Sequence, residues 1–267
     1  MEVRDEPETL LRSVSGLELT DLPGAETCCG VGGAFSLKFP HHPEGMLADT
    51  VENVVRTGAD TLVGVGGSTI SDAARMIGVM MALGITTVDR LRELSREHDG
   101  VLPADLVSSQ LPWQVSIPTT LSAGEFNMGG GNILDDRAGH KIRVRHPGLY
   151  AHLIVLDPEM TVGTPDWLWL STGVKALDHC IERLYTTGNQ PAIDAPILSA
   201  AEMLFSDLAR SGESHHDLDA RLRCLMAAWM SMMGAPNFNT GLSHAIGHVI
   251  GVRYAVGHGY TSCVTQP

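Results

Sequence analysis

The pattern of apolar and polar positions changes along the chain. Short apolar runs at residues 61–65, 114–118 and 153–157 are typical of buried strands, and glycine-rich turns follow the strands. Beyond residue 157 strand signals nearly vanish, and helical periodicity dominates at residues 165–185, 192–210, 218–233 and 241–252. We therefore expect an α/β part followed by an all-α helical domain.

The α/β part also contains three predicted helices. Residues 46–57 place apolar side chains on one helical face, and an apolar helix follows at residues 71–83. Residues 88–96 predict a further helix, with Thr87 as its N-cap.

Composition narrows the class of protein. With 267 residues, 43% of them hydrophobic and 18% charged, the chain is neither disordered nor a coiled coil. The net charge of −13 argues against nucleic acid or an anionic membrane as a partner. No apolar stretch is long enough for a transmembrane helix, and the acidic N-terminus is unlike a signal peptide. Five cysteines, an odd count, suit a reducing compartment, so we expect a cytoplasmic protein.

Two turns at strand ends are candidate ligand sites. Gly66, Gly67 and Ser68 lie between a strand and a helix, where glycines let a diphosphate approach the helix N-terminus. The G-x-G-x-x-G spacing and the P-loop lysine are absent, so a tight turn without a ligand is equally consistent. Thr119 and Thr120 follow the next strand, and their hydroxyls either bind a ribose, phosphate or carboxamide or cap an ordinary turn.

Four histidines form the third candidate. His244 and His248 are four residues apart and share a helical face, and His258 follows in a predicted loop. His179 lies earlier, on its own helix. Such spacing suits a divalent metal, although any one histidine is more readily explained as a buried, hydrogen-bonded side chain.

The order of these motifs resembles the iron-containing alcohol dehydrogenase superfamily, which includes the maleylacetate reductases. The resemblance covers residues 61–267 and rests on residues 66–75, 118–125, 157–159, 173–179, 241–248 and 256–259. It implies an N-terminal NAD(P)-binding α/β domain, a C-terminal helical domain and an active site in the cleft between them. Members of the family extend further at both ends, so both parts are expected to be incomplete.

The resemblance assigns cofactor contacts. It implies that Gly66, Gly67 and Ser68 cradle the cofactor diphosphate and that Thr119 and Thr120 contact its nicotinamide side. Lys141 is implied to reach the ribose or phosphate. NAD and NADP both remain candidates.

The resemblance also implies a metal site of one aspartate and three histidines. His179, His244 and His258 match the histidines, but Lys175 stands at the aspartate position. An ammonium cannot ligate a cation, so iron or zinc is not expected and the chain resembles the metal-independent, maleylacetate-reductase-like branch. On this interpretation Lys175 and His244 polarise the substrate carbonyl, and His248 donates the proton.

A basic segment follows Lys141. Arg143, Arg145 and His146 are candidates to pair with a carboxylate substrate or a 2′-phosphate, and a solvated basic loop is the equal alternative.

The N-terminal segment resembles a different family. Residues 26–38, with Cys28 and Cys29, resemble the cysteine-rich CCG domain of heterodisulfide reductases and glycolate oxidase iron–sulfur subunits. Two thiolates cannot complete a four-thiolate cluster, so a vicinal disulfide or two inert thiols are the alternatives.

These observations predict three partial units, at residues 1–60, 61–157 and 158–267. The predicted function is an NAD(P)-dependent dehydrogenase or reductase acting on a small carbonyl compound or alcohol, with carboxylates among the candidate substrates. Weak or no activity is expected because both dehydrogenase parts are incomplete, and a homodimer is the candidate assembly. The alternative is a redox accessory protein of the CCG type, linked to 2-hydroxy-acid oxidation.

Overall fold

The computed structural model describes most of the chain from residue 52 onward. The described residues are 9, 11–20, 52–107, 111–127, 129–135, 140–186, 190–234, 241–254, 256 and 258–266. Residues 52–57 are helical, as predicted, whereas residues 46–51 of that helix lie outside the described residues. Cys28 and Cys29 also lie outside them.

Parallel strands form the sheet of the α/β part. The described strands are β1 (Thr61–Gly66), β2 (Trp113–Pro118), β3 (Gly130–Asp135), β4 (His140–Arg145) and β5 (Leu153–Ile154). Strands β1, β2 and β5 are parallel and adjacent in that order, while β3 and β4 form a separate antiparallel hairpin. Gly66 pairs with Pro118, so β1 and β2 end at the same edge of the sheet.

Helices alternate with the strands of the α/β part, and the described elements from residue 166 onward are all helical. The described α-helices from residue 68 onward are α1 (Ser68–Leu83), α2 (Val88–Glu97), α3 (Ala104–Val107), α4 (Asp166–Tyr185), α5 (Pro191–Glu213), α6 (Leu218–Ser231), α7 (Leu242–Tyr254) and α8 (His258–Thr265). Short 3₁₀ turns lie at Gly124–Phe126, Pro147–Leu149 and Glu159–Thr161. Thr87 caps α2 as predicted, because its hydroxyl accepts a hydrogen bond from the backbone N–H of Arg90 at 3.3 Å.

Two hydrophobic cores hold these elements. The first joins α1 and α2 to the hairpin through Met76, Val79, Met80, Leu91 and Val144. The second is the interior of the helical part and includes Trp169, Ala176, Ile197, Leu204 and Leu225. Leu121 and Ala123, from the loop after β2, are fully buried in this second core. That loop therefore connects the sheet edge to the helical part.

The predicted fold class, an α/β part followed by a helical part, is confirmed. Three local predictions were wrong. Strand β5 has two residues rather than five, His258 begins helix α8 rather than lying in a loop, and the basic segment from Lys141 is strand β4. Among the helices of the described ranges, none alone has the length and hydropathy of a membrane span. Helices α1 and α2 meet that criterion only as a pair bent by 88°.

Arg75 of α1 links the α/β elements to one another. Its guanidinium is 1% exposed and donates to the carbonyl oxygens of Gly124 at 2.9 Å, Glu125 at 2.9 Å and Leu149 at 3.1 Å. The Asp72 carboxylate lies 3.3 Å from the same group. A rigid planar fork of donors suits this set of separate acceptors.

We expect Arg75→Lys to lower the free energy of unfolding by about 3 kcal/mol, because one ammonium cannot reach three separate carbonyl groups. Urea denaturation followed by circular dichroism measures the loss. Arg96→Lys, at an exposed position of α2, is the matched control and should change stability by less than about 0.5 kcal/mol. Equal stability of Arg75→Lys and the unmodified chain would contradict this role.

Candidate active site

The glycine turn after β1 has little room for side chains. Gly66 has φ +155°, and a Cβ there would lie 2.5 Å from Cγ1 of Ile70. A Cβ on Gly67 would lie 3.0 Å from Oγ1 of Thr120. Helix α1 begins directly after this turn, so its first-turn N–H groups face the edge where the strands end. Such a turn fits an anionic diphosphate.

The predicted cofactor residues of the two turns lie together. The backbone N–H of Thr119 donates to the Gly66 carbonyl at 3.1 Å, and Gly67 packs against Thr120. The hydroxyl of Ser68 accepts the Gly124 N–H at 3.1 Å. A hydroxyl that accepts one hydrogen bond can still donate its own, so the Ser68 hydroxyl and the first backbone N–H groups of α1 are both candidate donors to a phosphate.

Lys141 is half-buried and lies close enough to Asp72, near the start of α1, for the two charges to interact. Burial lowers the pKa of Lys141, and the Asp72 carboxylate opposes that shift. Burial also raises the pKa of Asp72 to about 6, against the charges of Arg75 and Lys141. Burial likewise raises the pKa of Glu125 to about 7. Acidic groups that titrate near neutrality therefore lie next to the predicted cofactor site.

The loop after β2 is hydrogen-bonded to the helical part. The Thr164 hydroxyl donates to the Thr119 carbonyl at 2.7 Å, and the backbone N–H of Leu121 donates to the Thr172 hydroxyl at 3.1 Å. Thr172 lies on α4, three residues before Lys175. The predicted cofactor loop and the predicted catalytic lysine are thus held by the same helix.

Lys175 is buried in a polar network. It is 2% exposed, and its ammonium donates to Oδ2 of Asp178 at 2.7 Å and to Nδ1 of His244 at 3.1 Å. An ammonium has no acceptor, so Nδ1 of His244 must accept and the imidazole proton is on Nε2.

Asp178 connects three helices and was overlooked as a functional residue at the level of sequence. Its buried carboxylate accepts from Lys175 on α4, from Ser243 of α7 at 3.1 Å and from Ser262 of α8 at 2.8 Å. The side-chain amide of Gln266 donates to the other oxygen. The sequence signal was its position three residues after Lys175, on a neighbouring turn of the helix.

His244 is fixed by a second carboxylate. Oε1 of Glu182 accepts the backbone N–H of His244 at 2.9 Å, near the start of α7, where N–H groups lack helical partners. Oε2 lies 3.5 Å from Nδ1, and the His179 ring stacks on the His244 ring at 5.7 Å. Burial alone would raise the pKa of Glu182, but the backbone N–H of His244 and the charge of Lys175 hold it below its usual value.

Two of the four predicted histidine side chains lie within the described residues. His179 and His244 lie together, whereas the side chains of His248 and His258 lie outside the described residues. The described residues do not fit a divalent cation, because the Lys175 ammonium is hydrogen-bonded to the Nδ1 of His244 and to Asp178.

The basic segment has two kinds of side chain. His146 is buried, with Nδ1 accepting from the Gly148 N–H at 3.0 Å and Nε2 3.2 Å from the Ala104 carbonyl, so it is not available to a carboxylate. Arg143 and Arg145 are exposed on β4. Their pairing with a ligand stays a prediction.

Comparison with known proteins agrees with this architecture. The family model for iron-containing alcohol dehydrogenase matches residues 29–158, and the model for the C-terminal part of the same family matches residues 169–267. The first match includes residues 29–60, most of the segment assigned to a CCG-like unit. The CCG assignment therefore has no support from the comparisons, and the start of the dehydrogenase-like region moves from residue 61 to residue 29.

Individual proteins give the same result. Dehydrogenase ALT3 of Alternaria alternata is 32% identical over 244 residues, which are 85% of this chain and 61% of that protein. The chain thus spans about three-fifths of that relative's length. Sulfoacetaldehyde reductase from Bifidobacterium kashiwanohense in complex with NAD+ has a TM-score of 0.71 at 20% identity, over 83% of this chain and 56% of that one. Maleylacetate reductase from Agrobacterium tumefaciens has a TM-score of 0.63 at 22% identity, over 82% and 54%.

We expect Asp178→Asn to lower the free energy of unfolding by about 3–5 kcal/mol, because the buried Lys175 ammonium loses its counterion. Chemical denaturation measures the effect, with the exposed Asp219→Asn as control. The double variant Lys175→Met/Asp178→Asn should recover part of the loss, since it removes both charges. A single variant that costs under 1 kcal/mol would show that Asp178 is not a structural hub.

Glu125 should make stability depend on pH. Its folded-state pKa of about 7 exceeds the unfolded value, so its stabilising contribution is complete below about pH 4 and is lost as the pH rises through 7. The unfolding free energy of the unmodified chain should therefore fall between pH 5 and pH 8. Glu125→Gln should make that fall smaller by about 2–3 kcal/mol. The exposed Glu202→Gln should keep the slope of the unmodified chain. An unchanged slope in Glu125→Gln would argue against a buried, protonated Glu125.

Proposed function

Because the chain belongs to the iron-containing alcohol dehydrogenase family, we propose that it is an NAD(P)-dependent oxidoreductase that interconverts a small carbonyl compound and its alcohol. The observation that carries this proposal is the buried Lys175 ammonium beside His244, on the helix that also holds the loop after β2. A fixed positive charge next to a cofactor loop is suited to stabilise an alkoxide.

The cofactor is proposed to bind at the carboxyl edge of β1 and β2. Gly66, Gly67 and Ser68 would hold its diphosphate at the start of α1, Thr119 and Thr120 would contact its nicotinamide side, and Lys141 would reach its ribose or phosphate. The NAD+ complex of the structurally similar sulfoacetaldehyde reductase supports a cofactor of the NAD type. When bound, the cofactor supplies or accepts the hydride.

The polypeptide supplies charge and protons. Lys175 is proposed to polarise the carbonyl through its ammonium, while Asp178 holds that ammonium in position. His244 accepts from Lys175 through Nδ1 and is proposed to polarise the carbonyl together with it. His248, one turn further along α7, is proposed as the proton donor to the alkoxide.

We propose that this chemistry is independent of metal, as in a maleylacetate-reductase-like member of the family. The support is chemical: Lys175 stands at the position where the resemblance implies an aspartate ligand, and its ammonium would repel a divalent cation. Iron or zinc is accordingly not expected to be required.

A cytoplasmic location is proposed on composition. The thiols of Cys180 and Cys224 are buried and free, which suits a reducing compartment. A homodimer remains a prediction.

The proposal is tested by titrating NADH and NADPH into the protein, followed by fluorescence, and by assaying aldehyde reduction with and without zinc or iron. Lys175→Met should lower kcat about 10²–10³-fold, the effect of removing one oxyanion-stabilising donor, with cofactor affinity within about threefold. Arg96→Met is the activity control, and circular dichroism checks that each variant folds.

Failure to bind either cofactor would refute the enzyme proposal. Activity that depends on added metal, with Lys175→Met as active as the unmodified chain, would refute the role of Lys175 alone.

A further inference from the structure

A second cation lies on the same face of α4 as the catalytic lysine. Lys175, His179 and Arg183 follow one another at intervals of four residues, so they lie along one side of the helix. Consecutive members of the row are about 6 Å apart along the helix axis. Arg183 is therefore in line with the cluster of Lys175, His179 and His244.

Arg183 has poor partners for a cation. One terminal nitrogen, Nη1, donates to the His179 carbonyl at 3.3 Å, and the other, Nη2, lies 3.5 Å from the Met232 sulfur. Its buried Nε has no acceptor among the described residues. Within the described ranges no carboxylate lies at ion-pair distance, because the adjacent Glu182 is directed to the backbone N–H of His244.

Arg75 is better compensated, because it has three carbonyl oxygens and the Asp72 carboxylate. Arg221 has two oxygens of Thr161 and lies over the Trp169 ring at 4.4 Å, but its Nε and Nη2 have no acceptor among the described residues. Arg221 lies on α6, whereas Arg183 lies on the same helix as Lys175. Burial lowers the pKa of Arg183, and the charges of Cys180 and Glu182 offset that shift only in part. An anion at this position would supply the missing partner.

We propose that Arg183 binds a carboxylate of the substrate, which makes the substrate a short oxo acid or its hydroxy acid. The inference rests on the proposed function and specifies its substrate class. The guanidinium reaches back to the turn of His179, so the carboxylate and the reacting carbonyl at Lys175 would be separated by about one helical turn, roughly 6 Å. That separation suits a short-chain acid whose carbonyl is at the far end from the carboxylate.

The test compares two aldehydes of equal chain length, succinic semialdehyde and butanal, in the full chain with NADH or NADPH. The unmodified protein should prefer succinic semialdehyde in kcat/KM. Arg183→Met should lower kcat/KM about 10²-fold for succinic semialdehyde and less than threefold for butanal, mainly through KM. Arg183→Lys should restore part of the preference, because it keeps the charge.

Two further variants make the assignment specific. Arg96→Met, on the exposed end of α2, should leave both substrates unaffected. Arg143→Met tests the exposed cation on β4, and selective loss of succinic semialdehyde reduction in that variant instead of Arg183→Met would overturn the proposal.

A binding measurement separates this inference from the proposed function. Succinate should raise the thermal midpoint of the unmodified protein and not of Arg183→Met, whether or not turnover is detected. Reduction of both aldehydes with no preference, and no effect of succinate, would overturn the role of Arg183 and leave the oxidoreductase proposal intact. Reduction of neither aldehyde, with succinate stabilising only chains that contain Arg183, would count against the proposed activity and support the anion site.

Discussion

The buried pair of Lys175 and Asp178 constrains the whole helical part of the molecule. Two opposite charges have been removed from water on neighbouring turns of α4, and such a pair is tolerated only when its remaining hydrogen-bonding capacity is met. Ser243 and Ser262 meet that requirement from α7 and α8. The packing of these two helices against α4 is therefore fixed by polar geometry as well as by apolar contact.

The α/β part depends on a comparable arrangement with a different chemistry. Arg75 gathers backbone carbonyl groups from two separate 3₁₀ turns around one guanidinium, and this holds the hairpin region against α1. The loop after β2 then joins the two parts, because Leu121 is buried in the helical core while Thr119 is bonded to the glycine turn. The residues proposed to bind the cofactor and those proposed to act in catalysis are consequently held in one continuous network.

Much of this could be predicted from local sequence signals. The glycine turn, the Thr87 cap and the long helices follow from short-range rules on capping and periodicity. The β3–β4 hairpin was not predicted, although Ile142 and Val144 alternate with cations in the two-residue period of a strand. Only the pairing of Asp178 with Lys175 has a local sequence signal, whereas its partners on α7 and α8 are 65 and 84 residues away and follow from tertiary structure. His146 likewise looked like a ligand-binding cation, and only tertiary contacts reveal it as a buried link between backbone segments.

The positive centre of the site is attached to the chain by covalent bonds. A metal ion is held by an equilibrium, so chelators, dilution or scarcity can empty its site. The side chain of Lys175 cannot leave the polypeptide in this way, and it is in place as soon as α4 has folded. On the proposed function, the amount of competent enzyme in a cell would follow synthesis of the polypeptide and not the supply of iron.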